Sequence, residues 1–595
     1  MKPQRTKESA ILNKILIRYL HPEKWSILLL ALIIFIGVCM ENVNPFLYGK
    51  MVDLISRGQI DMLPMVIACY CATTLGALTL GVIERRQGEL LSFRVGNRIR
   101  RDALEKIMYT RLERFLRSQP GELISRISGD TENITSFFID IFGDIGQVAV
   151  SLSISAYFIL TISPRLSTVA LFYVPATFLC TYILRKKFKR IAKEQRGLED
   201  RNSSFLNETM NKYEGIKTFQ LEKRTLAVFD TIIKDKLRLT RRSLRINNVS
   251  SFANTLIGLI SSMYIVYISA VLIKDGVLTI GAMVSFNTYI NILFAALEKI
   301  WNYSINKQAI LVSADRINEI LEAESETEGQ EGLDLPRTGI RSIEMRKISF
   351  SYPGCAGLAL DGLNLAITKP GCYAVVGKNG CGKSTLAKLL PRLYEAGAGF
   401  VAVNGRPISD FAVKSIRSAV TYVPKDEFFL HDTIYANLTL YDESISRDEV
   451  ISLCSAIGVH SLIASLPEQY NTVMAEKGFS LSSGQKQKLT VVRALLRKSS
   501  VLVFDEVTAN LDGKSEQDIM EAINQYGKDH IVIHISHKIG AIAGSDRIYL
   551  MCSGRVEACG THSELMAESL IYQELFAQGK SSPDKGPEIT KRGEM

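Results

Sequence analysis

Six runs of apolar residues, near 26–48, 62–84, 138–162, 166–184, 252–273 and 279–300, dominate the first half of the chain. Each is about 20 residues long, enough to cross the hydrocarbon core of a bilayer as an α-helix. Lipid offers the backbone no hydrogen bonds, so such runs must satisfy their own N–H and C=O groups, and a helix does this within one segment. The third run is the least apolar, with Asp140, Asp144 and Gln147 near its start. Connections after the first, third and fifth runs are short and carry few basic residues. Those after the second and fourth are long and basic, as in "RVGNRIRRDALEKIMYTRLERFLR" and "RKKFKRIAKEQRGLEDR". The positive-inside rule then assigns the long loops and both termini to the cytoplasm.

A chain of 595 residues is too long for one core, and two or more domains are expected. The apolar share of 47 % and the mean hydropathy of +0.11 average a lipid-like first half with a mixed, globular second half. A net charge of +10 does not point to nucleic acid here, because Lys and Arg gather between the apolar runs. The ten cysteines are scattered singly. Cys69 and Cys71 diverge on a helix, which is poor metal geometry, so free, buried thiols in a reduced compartment are expected. The opening "MKPQRTKESAILNKILIRYLHPEKW" lacks the continuous apolar core of a cleavable signal. Its Ile11, Leu12, Ile15, Leu16, Tyr19 and Leu20 recur at helical spacing, which suits a helix lying on the inner membrane surface or one docked on the protein.

Both long loops keep helical periodicity and break once, at "RSQPGELISRISGD" (117–130) and "MNKYEGIKTFQLEKR" (210–224), where short crossing helices are expected. The organisation predicted is an amphipathic helix over 1–25 and a helical membrane domain over 26–321. A turn-rich acidic linker over 322–340, a mixed α/β domain over 341–577 and a polar, disordered tail over 578–595 follow.

Chemistry is written into the α/β part. "GCYAVVGKNGCGKSTLAKLL" (371–390) sets an apolar strand, a glycine-rich loop and a helix in sequence. Gly377, Gly380 and Gly382 let backbone N–H groups of the loop, with Lys378, Asn379, Cys381 and Thr385, curl around phosphates. Lys383 is placed to reach the outer phosphates and Ser384 to hold Mg²⁺. Cys381, beside Lys383, is a candidate thiolate and so a labelling site if reagents reach it. In "SVLVFDEVTANLDG" (500–513), a buried strand ends at Asp505, a second candidate Mg²⁺ ligand, and Glu506, placed to orient or deprotonate an attacking water. "IVIHISHK" (531–538) is another buried strand, ending near His537, where ligands collect in parallel sheets.

With "LSSGQKQKLTVVRALL" (481–496) preceding "VLVFDE", the chain resembles the ATP-binding cassette exporters built as half-transporters, six membrane helices followed by one α/β P-loop nucleotide-binding domain. The resemblance spans about residues 10–577. It implies an ATPase, using ATP and Mg²⁺, that moves a hydrophobic or amphipathic peptide, lipid or drug outward across a bacterial plasma membrane. The same architecture serves importers, ATP-gated channels and regulatory subunits, which are the alternatives. It implies a second half-transporter as partner, a homodimer being favoured over a heterodimer, with contact to membrane lipid and none to nucleic acid. Ser482, Ser483, Gly484 and Gln485 would meet the partner's nucleotide, and Tyr352 would stack on adenine. Asp512 would lie in the loop crossing between domains, and Glu476 would face the coupling helices near 117–128 and 210–222.

Two departures stand out. Ser483 replaces a usual glycine, which costs strain if that position needs positive φ. Lys425, in "YVPKDEFFL" (422–430), replaces a usual glutamine near Mg²⁺ and the attacking water. Its ammonium can meet the γ-phosphate, Glu506 or Asp426, which would slow hydrolysis, or point into solvent and change little. In the sixth run, Asn287, Asn291, Phe294 and Glu298 share one helical face, a candidate lining for a transport cavity. The first run adds Glu41, Asn42 and Asn44 beside Pro45.

Overall fold

The computed structural model describes residues 2–577 apart from 117–119, 140–142, 144, 327–331, 337–338, 356, 475–480 and 509–510. Two compact units emerge. Met1–Ile107 with Gln119–Ala323 form the helical unit, and Met108–Ser118 with Glu324–Met595 form the α/β unit.

Six long helices build the first unit: α1 (Lys24–Ser56), α2 (Leu63–Met108), α3 (Gly146–Ile162), α4 (Pro164–Asn211), α5 (Glu222–Lys274) and α6 (Ile280–Leu321). Four described stretches, Ala10–Ser56, Ile60–Met108, Glu222–Lys274 and Ile280–Leu297, are long and apolar enough to span a bilayer, and Gly146–Ile162 is apolar but shorter. The start of the third predicted span, with Asp140 and Asp144, lies outside the described residues. Leu28, Leu29, Leu32 and Phe35 of α1 point outward, as lipid-facing side chains do. Cys69 and Cys71 of α2, expected to be buried thiols, are exposed.

Inside the unit, helices meet through small residues and polar links. A Cβ on Gly281 would fall 1.9 Å from the Gly49 carbonyl oxygen, so α1 and α6 cross at backbone contact. Beside that crossing, Asp53 accepts hydrogen bonds from Thr279 Oγ1 and the Gly281 N–H, each at 2.7 Å. Tyr289 donates to the Asn42 carbonyl at 2.8 Å and stacks on Phe158 with 4.7 Å between centroids. Asn42 also reaches Ser151 Oγ, and Thr73 donates to Asn44, so these two asparagines serve neighbouring helices.

The N-terminal helix (Lys2–Leu20) buries Leu12, Ile15 and Tyr19 in a cluster with Leu91, Val95 and Ile99 of α2 and Ile310 and Ala314 of α6. Its Tyr19 hydroxyl donates to Asp102 at 2.8 Å. Packing on protein, one of the two readings of its apolar stripe, is present, while Ile17 of the same helix stays exposed.

The α/β unit holds two sheets made of β1 (Ile343–Phe350), β2 (Leu360–Ile367), β3 (Gly371–Val376), β4 (Ala398–Val403), β5 (Arg406–Pro407), β6 (Val420–Val423), β7 (Val501–Asp505), β8 (Ile531–Ile535), β9 (Arg547–Cys552) and β10 (Arg555–Gly560). One sheet has the order β2-β1-β4-β5 and is antiparallel. The other runs β10-β9-β3-β8-β7-β6, with every pair parallel except β9 with β10. Strands β3, β7 and β8 are buried along their whole length, which explains their unbroken apolar sequence. A parallel sheet collects ligands beyond the carboxyl ends of its strands, and here those ends are Val376, Ile535, Asp505 and Val423.

Residues 108–118 also pack in this unit. Leu112 lies against its core, Arg111 pairs with Glu395 at 3.4 Å, and the Glu326 N–H donates to the Tyr109 carbonyl at 2.6 Å. These contacts lie just upstream of the 117–128 stretch in which a crossing helix is expected, and 117–119 of that stretch are outside the described residues. Pro120–Ser125 is a short helix of the helical unit. In the other loop Tyr213–Thr218 is a short helix, with Tyr213 and the following Phe219 exposed.

Two consequences can be measured. Gly281→Ala places a methyl against backbone, and overpacking of this kind costs about 1–3 kcal/mol. The thermal midpoint of the variant in detergent is therefore lower, while Gly276→Ala, with open space around it but a φ of 70°, tests backbone strain alone. The second concerns His534, stacked on Phe504 in mid-sheet with no partner for its Nε2. Burial lowers its pKa from 6.5 to about 4. Between those values the unfolded chain binds more protons than the native one, so stability falls as pH drops through this window, by about 3 kcal/mol in all. His534→Val flattens the loss of thermal midpoint between pH 7 and pH 5; equal slopes for both proteins would refute a neutral buried imidazole.

Candidate functional site

The loop after β3 is shaped by glycines that nothing larger can replace. Gly377, Gly380 and Gly382 have φ of 153°, 81° and 103°. A Cβ on Gly377 would lie 2.2 Å from the Met551 carbonyl, and one on Gly382 2.5 Å from the Ala359 carbonyl. Gly382 caps helix α7 (Lys383–Leu389). The Lys383 ammonium turns back into the loop, donating to the carbonyls of Gly377 at 2.8 Å and Lys378 at 3.0 Å. Lys378 and Asn379 are exposed at the rim. Cys381 is 7 % exposed, with Sγ 3.9 Å from Lys383 Nζ, so the thiol that sequence nominated for labelling is shielded. Tyr352 packs edge-on against Phe350 and Tyr394, and its hydroxyl lies 3.1 Å from Thr385 Oγ1.

Asp505 and Glu506 project beyond β7. Asp505 accepts from Ser384 Oγ at 3.2 Å and from the Tyr422 hydroxyl at 2.9 Å. The Ser384 hydroxyl and the Asp505 carboxylate give two hard oxygens side by side, the donor type that magnesium takes. Burial and the neighbouring Asp505 raise the Tyr422 phenol well above its ordinary pKa, so it stays a donor. Sequence reasoning passed over Tyr422; its position one residue before the end of β6 and two before Pro424 was the available signal.

Glu506 adopts φ 56°, a left-handed conformation that non-glycine residues hold at a cost of about 1–3 kcal/mol. Its N–H donates to the Ile535 carbonyl at 2.9 Å, which pins the residue to the end of β8. Its two oxygens face different partners. Lys425 Nζ lies 2.6 Å from Oε2, and His537 Nε2 lies 3.4 Å from Oε1. The hydrogen bond from Lys425, aided by nearby positive charge, holds the carboxyl below its usual pKa despite partial burial. Burial, with help from Lys383, keeps the His537 imidazole below its ordinary value against the opposing pull of Glu506. Of the two carboxylates open to Lys425, Glu506 and Asp426, the ammonium meets Glu506.

The chain after Lys425 is anchored on helix α8 (Ser483–Leu496). Arg493 lies over the rings of Phe429 and Phe428, at 4.6 Å and 5.7 Å, and donates to the carbonyls of Phe428 and Asn437. Ser482 and Gln485 form a capping box that starts this helix, Ser482 Oγ accepting from the Gln485 N–H at 3.3 Å and Gln485 Oε1 from the Ser482 N–H at 2.9 Å. Ser482 and Ser483 are exposed, and Gly484 is partly so. Ser483 is the first helical residue and is not among the described non-glycine positions of positive φ. The strain expected of serine there is absent. Asp512 precedes helix α9 (Gly513–Gly527) as its N-cap residue.

These residues do not all converge. Ser384, Asp505, Glu506, Lys425, His537 and Lys383 gather at the strand ends, while Ser482–Gln485 start a helix whose bonds here are internal. Glu476 lies outside the described residues, as does the side chain of Glu298. Along α6, Asn287 and Phe294 are partly buried and Asn291 is exposed.

Comparison with known proteins agrees with this architecture. The family model for the ABC transporter transmembrane region matches residues 27–297, and that for the ABC transporter ATPase domain matches 360–509. A Streptococcus pneumoniae protein named as an ABC transporter ATP-binding protein is 27 % identical over 582 residues, covering 96 % of this chain and 98 % of its own. The ATP-dependent lipid A-core flippase of Chromobacterium violaceum is 27 % identical over 573 residues, 94 % of this chain and 96 % of its own. A Staphylococcus aureus protein named for multidrug export is 27 % identical over 463 residues, 78 % of this chain and 80 % of its own. The fold matches a bacterial Atm1-family ABC exporter solved with ATP bound, with a TM-score of 0.80 and 23 % identity over 94 % of this chain and 100 % of that one. A membrane-helix region joined to a nucleotide-binding α/β unit with this phosphate loop, in one chain, makes the protein an ABC transporter of the half-transporter type.

Proposed function

We propose that the chain is one half of an ATP-driven exporter, working as a homodimer and moving a hydrophobic or amphipathic molecule out of the cytoplasmic side of a bacterial membrane. The observation that carries the reading is the meeting of Lys383, Ser384, Asp505, Glu506 and His537 at one edge of the parallel sheet, in a chain with membrane-length helices. A flippase for a lipid and a multidrug export protein among the relatives support amphipathic cargo.

In this reading the phosphate loop grips ATP through its N–H groups and Lys383. Ser384 and Asp505 would hold a magnesium ion, which would supply neutralisation of phosphate charge. Glu506 accepts a hydrogen bond from the attacking water and takes its proton, and His537 steadies both Glu506 and the γ-phosphate. Ser482, Ser483, Gly484 and Gln485 of a second copy close the site, and Asp512 lines the crossing between copies. Two nucleotides between two copies favour the closed pair over the open one, and this differential binding drives the switch of the helices. The exposed Tyr213 and Phe219 suit docking on the other copy's α/β unit. Asn287, Asn291, Phe294 and Glu298 of α6 line the route, Glu298 favouring cationic cargo.

ATP hydrolysis by the purified chain in lipid tests the reading. Glu506→Gln lowers turnover at least about 100-fold while ATP binding persists. Lys383→Ala instead weakens ATP binding itself. Near-normal turnover in Glu506→Gln would remove it from the mechanism. For the cargo route, Glu298→Gln lowers dye- or lipid-stimulated ATPase more than basal ATPase, and more for cationic than for neutral compounds. Equal loss of basal and stimulated rates would assign Glu298 a structural role.

A further inference from the structure

We propose that Lys425 is an inhibitory positioning residue, a cationic clamp on Glu506 that leaves the site able to bind ATP but slow to hydrolyse it. The inference rests on the reading of Glu506 as the group that engages the attacking water. It deepens that reading by naming what restrains the carboxylate in this particular chain.

Geometry carries the argument. An ionised carboxylate has about four lone-pair positions over its two oxygens. At Glu506 one oxygen meets the Lys425 ammonium at 2.6 Å and the other meets His537 at 3.4 Å. The backbone of Glu506 is held in place by its left-handed φ and its bond to the Ile535 carbonyl. Lys425 is equally well delivered. Strand β6 pairs with β7 in parallel register, Val423 opposite Phe504, so the residue two past Val423 emerges beside the residue two past Phe504. Pro424 ends the strand, and the following Phe428 and Phe429 are held by Arg493. The clamp is therefore built by two strands and a helix and does not depend on a chance surface encounter.

A neutral glutamine in that position would offer an amide oxygen to a metal ion and leave the carboxylate free. Lys425 has no acceptor, and its charge repels a divalent cation while attracting the base. The pair is still reversible. Lys425 is 66 % exposed, so water reaches the ammonium and the pair opens and re-forms, slowing the base without locking it.

Steady-state ATPase of the full chain in lipid at saturating Mg²⁺, with ATP binding measured in parallel, separates the two effects. Lys425→Gln raises kcat by about tenfold, a fraction of the ~10²–10⁴ that general base catalysis provides, with KM changed less than about threefold. Lys425→Arg keeps the charge and stays slow. In a Glu506→Gln background, Lys425→Gln gives no gain, because the clamped group is gone. An unchanged or lower kcat in Lys425→Gln, or an equal gain in Lys425→Arg, overturns the clamp. If Glu506→Gln abolishes turnover in the same series, that failure belongs to the clamp alone. If Glu506→Gln itself turns over normally, the reading of Glu506 fails and the clamp falls with it.

Discussion

Register in the parallel ladder β3-β8-β7-β6 is the constraint from which the nucleotide site follows. Ala374 pairs with His534, His534 with Phe504, and Phe504 with Val423, so the four strands end within two residues of one another. A slip of one residue would turn every side chain to the opposite face and separate Asp505 from Ser384. The buried runs of β3, β7 and β8 set this ladder inside the core of the unit. Chemistry at the edge is thereby delegated to a core that takes no part in it. His534 is a polar ring within this core, and its burial lowers its pKa below the usual imidazole range.

The helical unit obeys a different solvent. Its outward side chains are apolar, and its polar groups turn inward to other helices, as Asn42, Tyr289 and Ser285 do at the α1–α6 contact. Close approach at Gly49 and Gly281 supplies packing where no hydrophobic driving force between helices exists. Asp53 then caps the first turn of α6 with a carboxylate, a bond that ties two helices at their shared end.

Local pattern made much of this legible. The spacing of Gly377, Gly380, Gly382, Lys383 and Ser384 encodes a loop whose geometry is local, and the structure reproduces its left-handed glycines. Asp505 and Glu506 were readable because a short apolar run ended on them. Long-range pairing was not legible. Nothing near Lys425 distinguishes Glu506, 81 positions away, from its neighbour Asp426, because strand order decides it. Tyr422 reaches Asp505 for the same reason. The N-terminal helix left two readings open, since one amphipathic stripe fits either lipid or protein, and the burial of Leu12 and Ile15 against neighbouring helices was not legible locally. Near the first loop break, proline and glycine were louder signals than Leu112, which packs against the α/β core. Serine at 483 was judged by the habit of glycine, whereas a helix start accepts it.

Pumping against a gradient is the property that separates an exporter from a gated pore of the same architecture. Accumulation of a cationic amphipathic dye by sealed inside-out vesicles carrying the full chain measures it directly. The account predicts that ATP drives the dye inside above its outside concentration and that Glu506→Gln abolishes the excess. An ATP-dependent flux that stops at equal concentrations, and that persists in Glu506→Gln, would contradict it.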